Sequence, residues 1–161
     1  MMWYSLVSVL VGGLLVMATH WLIYYLNNRR TRRATAGAFA GEIGAICSIM
    51  RHHRYLEDAQ SLLEEVCRSG QPLRAVMYST QEYFVIYHSN SSAIGLLPAP
   101  LALKVARFYT QVKSLMDDAR PEAPASEDAE DAKNRLKRQI KLLTETRDIG
   151  EDLEKQLQKI A

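Results

Sequence analysis

The sequence predicts an all-α protein: one N-terminal transmembrane helix, then a mostly helical soluble domain of about three helices with room for a small β-hairpin. Three observations carry this. Trp3–Leu26 contains no Asp, Glu, Lys or Arg. Apolar residues then recur at steps of three and four, the period that places them on one face of a helix. Glycine and proline punctuate those stretches at Gly70 and Pro72, at Pro98 and Pro100, and at Pro121, where helices stop or turn.

The apolar run is ~36 Å long as a helix at ~1.5 Å per residue, enough to cross a hydrocarbon core of ~30 Å. Trp3 and Tyr4 at one end, and Trp21, Tyr24 and Tyr25 at the other, match the aromatic belts of the two interfaces. The run lacks the basic start and the small-residue cleavage site of a signal peptide, so the expectation is a retained anchor. Arg29, Arg30, Arg32 and Arg33 follow at once. By the positive-inside rule they place the N-terminus outside and the rest in the cytoplasm, and they can meet anionic headgroups. Ser8 and Gly12 form a small face suited to helix association. His20 reads as an interfacial polar residue.

Ala34–Ser69 reads as one long helix with Phe39, Ile43, Ile46, Met50, His53, Leu56, Leu63 and Val66 on its stripe. Gly70 and Pro72 end it. Gly37, Gly41 and Gly44 lower helix propensity near its start, so that stretch reads as a hinge. Within 71–92, Val76-Met77-Tyr78 and Tyr83–Tyr87 are β-branched and aromatic, consistent with either a hairpin or an irregular connection. A second helix follows Pro100 to about Ala119, with Leu101, Val105, Phe108, Val112 and Leu115 as its packing seam. Pro121–Glu127 is a stiff linker. The charged amphipathic stretch 128–161 carries two seams, Leu136–Leu143 and Ile149–Ile160, broken by polar Thr144–Asp148 and Gly150. The domain division is therefore 1–33 anchor with basic flank, 34–120 helical domain, 121–127 linker and 128–161 charged helix.

Tyr87-His88-Ser89-Asn90, Ile94-Gly95-Leu96-Leu97-Pro98 and Phe108-Tyr109-Thr110-Gln111-Val112-Lys113 together resemble a module of small bacterial single-span membrane proteins, where it lies between an N-terminal span and a charged C-terminal helix. The resemblance covers 83–118. It implies a bacterial inner-membrane setting and no particular activity. In such a module Tyr87 and the Leu96–Leu97 pair would plug helix ends, and Asn90 or Ser92 would cap the turn.

Chemistry-bearing motifs are absent from the sequence. It has no phosphate-binding glycine loop, no HExxH and no GxSxG. Cys47 and Cys67 lack CxxC spacing and read as free thiols in a cytoplasm. Arg51-His52-His53-Arg54 is too short-range for a metal site, because neighbours on a helix diverge by about 100°; His53 is expected at the edge of the core. Net charge is +2, less than the arginine flank alone supplies, so the remainder offers no basic face for nucleic acid. No cofactor, metal or small-molecule substrate is expected, and the protein is not read as an enzyme. The expected function is a membrane-tethered interaction or scaffold protein, or a small subunit of a membrane complex. Its partners would be the lipid bilayer and a protein partner or a second copy bound through the helices. The rival readings are an envelope-facing coiled-coil protein of spanin type, and a lipid- or ion-sensing regulator acting through Arg29–Arg33 and Arg51–Arg54.

Overall fold

The computed structural model describes residues 2–76, 83–121, 123 and 126–161, with backbone alone for 2–11. Five α-helices form: α1 Met2–His52, α2 Tyr55–Ser69, α3 Val85–Ser89, α4 Ala99–Asp118 and α5 Ala129–Gln158, with a 3-10 helix at Ser91–Leu96 between α3 and α4. Among the described residues there is no strand. Val85, Ile86 and Tyr87, read as hairpin residues in the sequence, are helical, while Met77–Glu82 lie outside the described residues.

α5 is the spine. It packs against α1, α2 and α4, and its buried residues are Ala132, Leu136, Leu143, Thr146, Gly150, Leu153 and Leu157. They step by threes, fours and a seven, so the two seams seen in the sequence are one. The polar and small residues thought to interrupt them are members of the stripe. Thr146 is fully buried because its hydroxyl donates to the Leu142 carbonyl at 2.6 Å, leaving only its methyl to pack. Gly150 is required by close approach: a Cβ there would lie 2.4 Å from Cys47 Sγ and 2.6 Å from Phe108 Cε2. At that level the side chains of Cys47 from α1 and Phe108 from α4 press directly on the backbone of α5.

α5 runs antiparallel to α1, since Ala161 lies beside Gly37, Glu154 beside Gly44 and Gly150 beside Cys47. Phe39, Ile43, Cys47, Val105, Phe108, Leu153 and Leu157 form the main core there. Farther along α5, α2 takes over from α1: Ala59 packs with Leu115 and Leu143, then Val66 with Ala132 and Leu136. The predicted single helix 34–69 is thus two. It breaks at Arg54, whose φ of 54° and ψ of 34° are left-handed, after Arg54 N–H closes a tight turn onto the Arg51 carbonyl at 3.1 Å. His53 does not join the core edge; it is exposed and stacks on Tyr55 at 5.4 Å. Gly70 ends α2 as expected of a left-handed stop, with φ 67° and its N–H on the Val66 carbonyl at 3.0 Å. Asp128 caps α5 by accepting from Asp131 N–H at 2.8 Å.

Two expectations about the N-terminal part need correction. α1 continues through Gly37, Gly41 and Gly44 without a break, so no hinge separates its two halves. The transmembrane helix is not supported either: no helix among the described residues is long and apolar enough to cross a membrane. Of the run Trp3–Leu26, the part with described side chains starts at Gly12. That part includes Thr19 and His20, and Asn27, Asn28 and Arg29 follow it.

The close crossing sets a stability expectation. Gly150→Ala should destabilise the protein by about 1–3 kcal/mol through overpacking, read as a lower denaturation midpoint at unchanged slope. Arg54→Gly should act in the opposite sense and raise stability by about 0.5–1 kcal/mol, because a left-handed conformation costs a residue with a Cβ more than it costs glycine.

Candidate functional site

Between Ala34 and Met50 the only charged residue is Glu42, on α1 amid small and apolar neighbours. Its carboxylate is half-buried and collects three donors. Ile86 N–H donates to Oε1 at 2.7 Å, Tyr87 N–H donates to Oε2 at 3.0 Å, and the Tyr109 hydroxyl makes a short bond to Oε2. Glu42 therefore does for α3 what an N-terminal cap does: it satisfies backbone N–H groups at the start of a one-turn helix. It does so from a residue far away in sequence. Asn90 closes the other end of α3 by donating from Nδ2 to the Ile86 carbonyl at 3.0 Å. It is not the cap of the following turn that the sequence suggested.

Around this carboxylate the aromatics converge. Tyr87 and Tyr109 stack at 4.1 Å, Phe84 meets Tyr109 edge-on at 5.6 Å, and Phe39 meets it edge-on at 6.3 Å. Tyr109 is buried. Burial first, and then the bond and the negative charge of Glu42, drive its hydroxyl far above the ordinary tyrosine range, so it stays a proton donor to the carboxylate.

A cleft of about 410 Å³ opens on the other side of these rings, lined by Tyr83, Phe84, Tyr87, Lys113 and Arg120 among others. It adjoins a smaller apolar recess of about 60 Å³ reaching Ile46, Met50, Leu115 and Leu143; Tyr83 and Met116 line both. The cleft and the recess together make a candidate small-molecule site on the described surface. Phe84 and Tyr109, which line it, and Glu42, which holds Tyr109, were not among the site residues expected from the sequence. The isolated acid in an uncharged helical stretch was the one available signal for them.

The residues that were singled out fall into two groups. Leu101, Val105, Phe108, Val112 and Leu115 are all buried, packed inside the bundle. Trp21, Tyr24 and Tyr25 are exposed, as are Arg29, Arg30, Arg32 and Arg33, and Trp21 stacks on Tyr25 at 5.8 Å. The side chains of Trp3 and Tyr4 lie outside the described residues. Every residue from Gly12 to Ala34 is exposed, including Leu14, Leu15, Val16, Met17, Leu22 and Ile23. Residues 12–26 of α1 thus stand outside the bundle with exposed apolar side chains and an arginine collar at their base. Three charge pairs that join α5 to other helices, Arg51–Glu151, Lys104–Asp152 and Arg107–Glu145, at 3.8, 2.7 and 3.6 Å, lie on the surface. They orient helices more than they stabilise them.

Among the described residues no three His, Cys, Asp or Glu side chains come together as a metal site. Cys47 is buried and Cys67 exposed, both as free thiols. Burial first, and then the charges of Glu151 and Glu154, push the Cys47 thiol up to about 11. In comparisons with protein-family models, curated proteins and solved structures, nothing matches this chain.

Two outcomes follow. Glu42→Ala should cost about 1–3 kcal/mol, because two backbone N–H groups and a buried hydroxyl lose their acceptor; denaturation of the single and Glu42→Ala/Tyr109→Phe double variants would show strong non-additivity. In native protein a thiol reagent should modify Cys67 and spare Cys47. Because the folded-state Cys47 pKa of about 11 exceeds the ordinary 9.0, the folded state holds the proton longer. Its stabilising contribution is complete below pH 9 and is lost as pH rises toward 11, and Cys47→Ala should flatten that part of the stability profile.

Proposed function

We propose that this chain is a non-catalytic helical interaction protein, held at a lipid bilayer surface by the projecting half of α1 and presenting the bundle at a fixed distance from it. One observation carries the reading. Gly12–Leu26 exposes Leu, Val, Ile, Met, Trp and Tyr side chains on every face, and a helix apolar all round calls for an apolar surrounding. Contiguous exposure on this scale marks an interaction site. Arg29, Arg30, Arg32 and Arg33 at its base favour anionic lipid over a protein groove, since each basic residue near such a surface contributes about 1 kcal/mol. The unbroken helix from there into the core supports a rigid mount.

The test is co-sedimentation of the full chain with vesicles containing phosphatidylserine and with neutral vesicles. Binding to the anionic vesicles should weaken about 30-fold when two of the four arginines become glutamine, and added salt should weaken it further. Equal partitioning to both vesicle types, unmoved by the substitutions, would sink the electrostatic part. Absence from both pellets would sink the lipid reading and leave a protein partner for the projecting segment.

A further inference from the structure

The aromatic cleft and the apolar recess lie side by side, sharing Tyr83 and Met116 as walls, and their linings differ in polarity. At the mouth stand Lys113, Arg120, Asp117 and His88. Arg120 and Asp117 pair at 3.0 Å, and Thr110 turns its hydroxyl back to the Ala106 carbonyl at 2.9 Å. Lys113 is exposed and has no ion pair among the described residues, so its ammonium is the net charge of the opening. Glu42, behind Tyr109, has its oxygens occupied by three donors and is turned away from a ligand. Tyr83 and Met116 stand between the two cavities and line both, and on the far side Ile46, Met50, Leu115 and Leu143 line a recess without charge.

We propose that this pair of cavities binds a single-chain amphipathic carboxylate of fatty-acid type, its head at Lys113 and its chain passing Tyr83 and Met116 into the recess. The cleft, at about 410 Å³, falls in the size range of small-molecule sites. The recess, about 60 Å³, exceeds the space of a single water several times over, and its apolar walls suit a chain end. A flexible chain can follow the turn from cleft to recess past the thioether of Met116, itself an adaptable wall; a rigid fused ring cannot. One unpaired ammonium at the mouth selects an anion over an alcohol or an amine. This ligand departs from the sequence-based expectation of no small molecule, and the site is separate from the projecting half of α1.

The experiment uses the full chain with ¹³C-methyl methionine, titrated with decanoate below its micelle-forming concentration. The Met50 and Met116 methyl resonances should shift saturably while Met17, on the projecting segment, stays in place. Lys113→Gln, a surface change that spares the core, should weaken decanoate by about tenfold and leave decanol binding unchanged. The proposal is overturned if Met50 and Met116 do not move, if Met17 alone responds, or if decanoate and decanol bind equally to both proteins. None of these outcomes bears on vesicle binding, so the two readings fail independently.

Discussion

The bundle depends on the crossing at Gly150. Cys47 of α1 and Phe108 of α4 both come to where its side chain would be, so three helices share one point of closest approach. Dispersion falls off steeply with separation, and a bundle whose side chains close onto the backbone of one helix at this level packs well on either side of it. Above that level lie Phe39, Ile43 and Leu157; below it Leu115 and Leu143 carry the core toward α2. Thr146, one turn away, serves the same end: a short side chain whose hydroxyl its own helix satisfies. A longer polar residue there would be buried without a partner.

Glu42 solves a second problem, the placement of a one-turn helix too short to hold itself. Helix nucleation is costly, and α3 lies on the surface of the bundle with only partial burial. A carboxylate from α1 that binds its first N–H groups fixes both its position and its direction. Tyr109 joins the same carboxylate from α4. One side chain thereby ties α1, α3 and α4 together, and the aromatic rings that gather around it form the floor of the cleft.

α1 joins two environments in one unbroken helix. Its second half packs into the core, while residues 12–34 are exposed throughout. Because no break falls between them, whatever surrounds the first half also sets the position of the bundle, with Arg29–Arg33 marking the boundary. The proposed surface attachment and the proposed ligand cleft are therefore mechanically connected, though chemically distinct.

Helix content, the α4 seam and the stop at Gly70 were legible in the sequence, because local rules govern them: the 3.6-residue period, and the left-handed conformation that glycine adopts at little cost. The length of uncharged sequence at the N-terminus was legible too, but the inference from it to a transmembrane helix was not sustained among the described residues. What local rules misjudged lay where a distant residue decides the outcome. Thr146 and Gly150 look like an interruption of α5 until α1 and α4 are seen pressing on them. Tyr83–Tyr87 has strand-forming composition, yet Glu42 makes part of it a helix. His53 sits on the predicted stripe, but the turn at Arg54 swings it into solvent. The sequence by itself determined which stretches are helical and which faces are apolar, since both follow from neighbours a few positions apart. Only the tertiary structure decided that two seams are one, that a lone acid is a cap, and that four aromatics and a lysine border one cleft, because each arises from side chains of different helices, distant in sequence, meeting in space.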